Sequence, residues 1–199
     1  MGVRDWIYTM FSDENLYTDE ERPPALKFAG AKSISVDYGT TNPCVFLETW
    51  DDGQTIWIDR EYRWDSRSEE ARRSSVPEND AQYADDMAEF MGARPEDQCV
   101  IIVDPSAASF IQELRSRGWI VKAAENEVLD GIRSVSTMLA RRNLRINRKC
   151  KGLILEMQSY VWDDKAAERG EEKPVKQMDH GPDALRYRIN ALPKWRIGT

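Results

Sequence analysis

The spacing of hydrophobic and polar positions changes period along this chain. Between residues 32 and 63 apolar side chains alternate with polar ones or sit in short blocks, the two-residue repeat of β-strands. Positions 33–38, 44–50 and 55–64 predict three strands, the last rich in Ile, Trp and Tyr. Asp51-Asp52-Gly53-Gln54 between the second and third predicts a tight hairpin turn. From residue 79 the repeat lengthens to that of helices. Positions 79–92 place Tyr83, Met87, Phe90 and Met91 on one side, with Gly92 as the stop. Positions 98–103 are a continuous apolar run, as in a strand buried on both faces. Positions 106–117 predict a helix with Phe110, Ile111 and Leu114 inward and Gly118 as its cap. A short strand follows at 119–123. An amphipathic helix at 128–142 aligns Val128, Ile132, Val135 and Leu139. Positions 144–147 read as a short strand or a turn. A helix at 150–162 carries Leu153, Leu155, Met157 and Tyr160, and the last helix spans 182–192, stopped by Pro193.

The stretches between are polar. Positions 67–79 and the charged, Pro174-containing 163–178 predict loops. Positions 1–31 form a lead-in, but Trp6, Ile7, Tyr8, Met10 and Phe11 are too apolar for a free tail. An antiparallel three-strand meander followed by alternating helices and strands predicts an α/β fold with a mixed sheet, as one domain over 32–199.

Composition narrows the class. At 199 residues, with 41% hydrophobic and 32% charged, the chain has the make-up of one water-soluble globular domain. No apolar run approaches the roughly 20 residues that span a bilayer, and the first residues lack the apolar core of a signal peptide. Cys44, Cys99 and Cys150 are scattered, odd in number and without zinc spacing, which fits reduced thiols. The net charge of −7 argues against a polyanionic partner until its distribution is seen. Between Gly131 and Leu155 there is no acid, but there are Arg141, Arg142, Arg145, Arg148, Lys149 and Lys151. With Lys165, Lys173 and Lys176 these are candidate phosphate contacts on an acidic body; a merely solvated face is the equal alternative.

Three carboxylates carry the candidate chemistry. Asp37 ends the apolar run of the first strand, Asp104 ends the buried strand, and Asp183 lies at the start of the last helix. Two strand-end aspartates and one helix-start aspartate can converge on a pair of divalent ions, because hard cations such as Mg²⁺ and Mn²⁺ take carboxylate oxygens. His180, the sole histidine, is three residues before Asp183 and could ligate a metal, position water or contact phosphate. Singly, each has an ordinary reading. Asp37 could be a turn residue, Asp104 a helix cap, and His180 and Asp183 first-turn residues.

Several segments resemble the C-terminal nuclease domain of the large terminase subunit of tailed bacteriophages. They are Val36-Asp37-Tyr38-Gly39-Thr40-Thr41-Asn42-Pro43, Ile102-Val103-Asp104-Pro105-Ser106 and Glu156-Met157-Gln158-Ser159-Tyr160. The most specific is Asp179-His180-Gly181-Pro182-Asp183-Ala184-Leu185-Arg186-Tyr187. The resemblance implies an RNase H-like fold and a two-metal endonuclease, in the host bacterial cytoplasm, cutting concatemeric double-stranded DNA during packaging. It puts metal ligands at Asp37, Asp104 and Asp183 with His180 beside them, and leaves Asp179 open. It implies as partners DNA, an N-terminal packaging ATPase domain, a small terminase subunit and a portal protein. The chain lacks a Gly-x-x-x-x-Gly-Lys-[Ser/Thr] phosphate loop, so an excised domain is expected, with residues 1–31 from the interdomain side.

Two rival functions share the fold. Asp37-Tyr38-Gly39-Thr40-Thr41 also resembles the first phosphate loop of the actin, heat-shock chaperone and sugar-kinase superfamily, but that family needs a second, glycine-rich loop, and Asp104-Pro105-Ser106 offers none. A non-catalytic DNA-binding or docking module is the other.

Overall fold

The structure is a computed structural model that describes residues 5–23, 31–39, 43–65, 79–92 and 99–198. Its centre is a seven-stranded mixed sheet of the RNase H-like kind. The predicted meander is its middle: β2 (Ala31–Asp37), β3 (Cys44–Asp51) and β4 (Ile56–Trp64), paired antiparallel. The β3–β4 turn has Gly53 at φ 95°, a left-handed value that glycine adopts without strain. Asp52 Oδ1 accepts from the Gln54 and Thr55 amides and closes the turn.

Parallel strands extend the meander on both sides. β5 (Val100–Val103) joins β2, and β6 (Val121–Ala123) joins β5. On the other side β7 (Leu144–Asn147) joins β4, and β1 (Leu16–Tyr17) joins β7, giving the order β1-β7-β4-β3-β2-β5-β6. Positions 144–147 are therefore a strand, not a turn. The two-residue β1 carries no readable period. It is held by Asn15, whose side-chain amide donates to the Leu139 and Leu144 carbonyls.

The alternation of the strands divides the core into two layers. Ile34, Val36 and Phe46 point to the face covered by α1 (Asp80–Met91) and α2 (Ala108–Ser116). Val45, Leu47, Ile56 and Ile58 point to the other, covered by α3 (Val128–Ala140), α4 (Lys151–Ser159) and α6 (His180–Asn190). Ile7, Tyr8 and Leu16 are buried in this second layer. Cys44, Cys99 and Cys150 are buried, and none is in a disulfide.

Three expectations need correction. The helix predicted to 162 stops at Ser159, because Val161 and Trp162 are extended and bridge to Trp6 and Pro174. Its buried face is Leu153, Glu156 and Met157, with Leu155 56% exposed. The predicted loop at 163–178 contains a short helix, α5 (Asp164–Ala167), capped by the Asp163 side chain. The last helix starts at His180, not Pro182, and Pro193 opens a further turn, α7 (Lys194–Ile197). Pro182 is tolerated there because first-turn amides need no partner within the helix. The loop read at 67–79 and Thr40-Thr41-Asn42 lie outside the described residues, apart from Asn79, which caps α1.

Candidate active site

Sheet register brings the first two aspartates together. β2 and β5 are parallel with Val36 opposite Val103, so Asp37 and Asp104 occupy the next step on adjacent strands. The Asp104 amide donates to the Val36 carbonyl at 3.4 Å. α6 starts over this point. His180 Nδ1 lies 2.8 Å from Asp37 Oδ2, and Tyr187 OH donates to Asp104 Oδ2 at 2.5 Å. Asp183, one turn into α6, is buried; its Oδ1 accepts from Arg186 Nη2 at 2.9 Å. Lys176 Nζ stands 3.6 Å from both Asp179 Oδ2 and Asp183 Oδ2. Asp37, Asp104, Asp179, His180, Asp183 and Lys176 all line one open cavity of about 650 Å³.

The electrostatics are those of crowded acid. Burial pushes Asp37 up to about 6; the His180 hydrogen bond opposes this, while the charges of Asp183 and Asp104 add to it. Asp179 is raised by burial and then by Asp183. Burial would also raise Asp104, but hydrogen bonds from Tyr187 and Ser106 and the charge of Arg186 outweigh it and hold Asp104 low. His180 is lowered by burial, yet Asp37, Asp179 and Glu156 carry it above its ordinary value. At the Asp37–His180 junction burial and the mutual hydrogen bond act against one another on both groups.

The donor set fits a hard divalent cation: oxygen-rich, buried and anionic beyond what its protein neighbours neutralise. Among the described residues no three His, Cys, Asp or Glu side chains are already drawn into a ligating group. The reason is visible in the partners: Asp104 is turned to Tyr187 and the Ser106 amide, and Asp183 to Arg186.

The predicted basic residues divide. Arg142 pairs with Glu14, Arg148 with Asp13 at 3.5 Å, and Lys149 with Asp19. Arg141 donates to the Ile197 carbonyl, and Arg145 to the Leu16 carbonyl while lying over the Trp57 ring. These five belong to the β7–β1 edge and what packs on it. Lys151 and Lys165 are exposed, and Lys173 pairs with Glu171 at 2.6 Å. Of the nine, it is Lys176 that lines the cavity.

Sequence reasoning gave no role to Tyr187, Arg186, Arg63 or Glu156. Glu156 had a signal: it falls at the inward spacing between Leu153 and Met157, where a charge is out of place. It accepts a bidentate bond from Arg63, at 2.8 and 2.9 Å.

Known proteins match this geometry to different extents. No protein-family model and no curated protein matches the chain. Among solved structures, the large terminase of a thermophilic bacteriophage is 40% identical over 95% of this chain, with a TM-score of 0.84. The chain belongs to the large terminase family. It spans just under half of that relative, 46% of its chain. Two other terminase structures match over nearly their whole length. The P22 large terminase nuclease domain is 15% identical, with 98% of this chain and 97% of that chain covered and a TM-score of 0.68. The large terminase nuclease from thermophilic phage G20c, solved with bound magnesium, is 11% identical, with 96% and 99% covered and a TM-score of 0.69. At that identity they speak for the fold. The terminase segment represented here thus has the fold of those nuclease domains, and its carboxylate cavity lies at the ends of the parallel strands β2 and β5.

Proposed function

We propose that this terminase domain is a divalent-metal-dependent endodeoxyribonuclease that cuts concatemeric double-stranded DNA during viral genome packaging. The observation that carries the reading is the convergence of Asp37, Asp104 and Asp183, with His180, in one open cavity, where burial and then the charges of Asp183 and Asp104 raise Asp37. Magnesium bound to the G20c nuclease supports the choice of ion class.

Asp37, Asp104 and Asp183 would hold two Mg²⁺ or Mn²⁺ ions, with His180 beside them, and the ions would stabilise charge on the attacking and leaving oxygens of the phosphodiester. Asp37 is central because it faces His180 directly and feels both other aspartates. Tyr187 and Arg186 fix the planes of Asp104 and Asp183, as outer partners of ligands do. His180, oriented by Asp37 at Nδ1, would exchange a proton with the reacting group. Lys176 brings positive charge to the phosphate, and Lys151, Lys165 and Lys173 track the flanking backbone. Residues 1–31 lead from an N-terminal packaging ATPase domain; the small terminase subunit and portal complete the assembly, in the host bacterial cytoplasm.

The test is cleavage of supercoiled plasmid with Mn²⁺ or Mg²⁺ beside an Asp37→Ala control. Nicked and linear products from wild type only are expected. No cleavage by either protein, or equal cleavage by both, would overturn the reading. ATP binding would favour the kinase-like alternative instead.

A further inference from the structure

The first turn of α6 carries His180 and leads to Asp183, yet it has no side-chain cap of its own: the N-cap residue, Asp179, makes no such bond. The Gly181 amide instead donates to Glu156 Oε2 at 2.6 Å. Glu156, 5% exposed, is gripped from the sheet by both terminal nitrogens of Arg63. Glu61, two residues along the same strand, accepts from the Gly152 and Leu153 amides at 2.6 and 2.9 Å and so fixes the start of α4. β4, α4 and α6 are thus tied together by buried charge.

The two glycines show how closely the parts meet. A Cβ on Gly181 would stand 2.7 Å from Glu156 Oε2 and 3.0 Å from Leu153 Cδ1. A Cβ on Gly152 would stand 2.5 Å from Arg63 Nε. Neither glycine is in the left-handed region, so the requirement is space, not backbone freedom. A buried, bidentate ion pair adds little net stability, since desolvation offsets most of its attraction. What it does supply is a fixed direction and distance between the elements it joins.

We infer that Arg63 and Glu156 are positioning residues: they seat the first turn of α6 so that His180 meets Asp37 and Asp183 faces the cavity. This rests on the nuclease reading for its consequence in rate, but not for its geometry. Neither residue needs to touch the phosphodiester. A misplacement of about 1 Å in a reacting group costs on the order of a hundredfold in rate, so a small shift of this turn is enough.

The test uses Glu156→Gln, Glu156→Ala and Gly181→Ala in the whole chain, with melting temperature, Mn²⁺-dependent cleavage and proton NMR of the metal-free protein. His180 is the sole histidine, so a low-field signal from a proton between its Nδ1 and Asp37 has one assignment. Glu156→Ala and Gly181→Ala should lose that protected low-field signal. Their kcat should fall tens- to a hundredfold with KM for DNA within about twofold. Glu156→Gln keeps an acceptor for the Gly181 amide and should restore part of both. If Glu156→Ala does not fold, Gly181→Ala and Glu156→Gln decide. A wild-type low-field signal and wild-type kcat in folded Gly181→Ala and Glu156→Gln would overturn the inference. Loss of the signal in a series whose wild type does not cut DNA would sustain the positioning role and overturn the nuclease reading instead.

Discussion

Charge is handled in opposite ways at two places along the sheet. At the β7–β1 edge three cations each meet an acid: Arg142 faces Glu14, Arg148 faces Asp13, and Lys149 faces Asp19. At the ends of β2 and β5 like charges are crowded: Asp37 is raised by burial and by Asp183 and Asp104, and Asp179 by burial and Asp183. Exposed complementary pairs are each worth ~1 kcal/mol or less and solubilise a surface. Crowded, half-buried acid is unfavourable in the absence of a cation and persists where a site needs it. The contrast separates a stretch whose charge stands out by composition from one whose charge stands out by arrangement.

The largest expected effect lies on the crowded side. Asp104→Ala or Asp183→Ala should each lower Mn²⁺-dependent cleavage on the order of a thousandfold, since each removes a ligand to an ion that stabilises developing charge. Circular dichroism and melting temperature should remain close to wild type. A variant that retains rates within tenfold would remove its residue from the site.

His180→Ala comes next. Cleavage at matched folded fraction should fall on the order of a hundredfold, the usual weight of a positioned acid or base, with a near-normal melting temperature. A lower melting temperature at an unchanged rate would make His180 a structural residue of α6.

How much of this was legible before the fold was known differs by residue. Asp37 and Asp104 could be read because each ends an apolar strand, and Asp183 and His180 because they begin a helix. The meander and the buried β5 followed from period alone. Tyr187 and Arg186 could not be assigned, because a helical Tyr or Arg reads as ordinary until α6 is known to lie over Asp104. β1 was illegible: two residues carry no period, and its pairing with β7 comes from tertiary contact. The basic stretch left a phosphate track and a solvated face equally open, because the acids that meet Arg142, Arg148 and Lys149 lie in the lead-in, distant in sequence and adjacent in space.

A smaller effect sharpens the same contrast without any substrate. The Asp37 pKa is about 6 in the folded protein against an ordinary 3.8. A folded-state pKa raised in this way contributes stability in full below the unfolded value, and that contribution is lost as pH rises through 6. Metal-free Asp37→Asn should therefore be more stable than wild type at pH 8 by about 1–2 kcal/mol, less than the full shift because the His180 interaction is weakened too. The gain should shrink to nothing below pH 4. Denaturant titration at both pH values checks it; a gain independent of pH would mean the aspartate is not the crowded group.

The smallest effect is expected at the edge. Replacing Arg142, Arg148 and Lys149 together by Ala should leave the salt dependence of DNA binding unchanged, because their charges already face acid. Replacing Lys151, Lys173 and Lys176 should reduce the slope by about one for each phosphate no longer neutralised. A flatter slope from the edge triple would place DNA on that side.

The most direct measurement is calorimetric titration of Mn²⁺ into the metal-free domain, wild type against Asp37→Asn, Asp104→Asn and Asp183→Asn. Saturable binding to wild type, weakened at least tenfold in each variant, is the result predicted by a site built from crowded carboxylates. Binding that is absent from wild type, or equal in all four proteins, would contradict it.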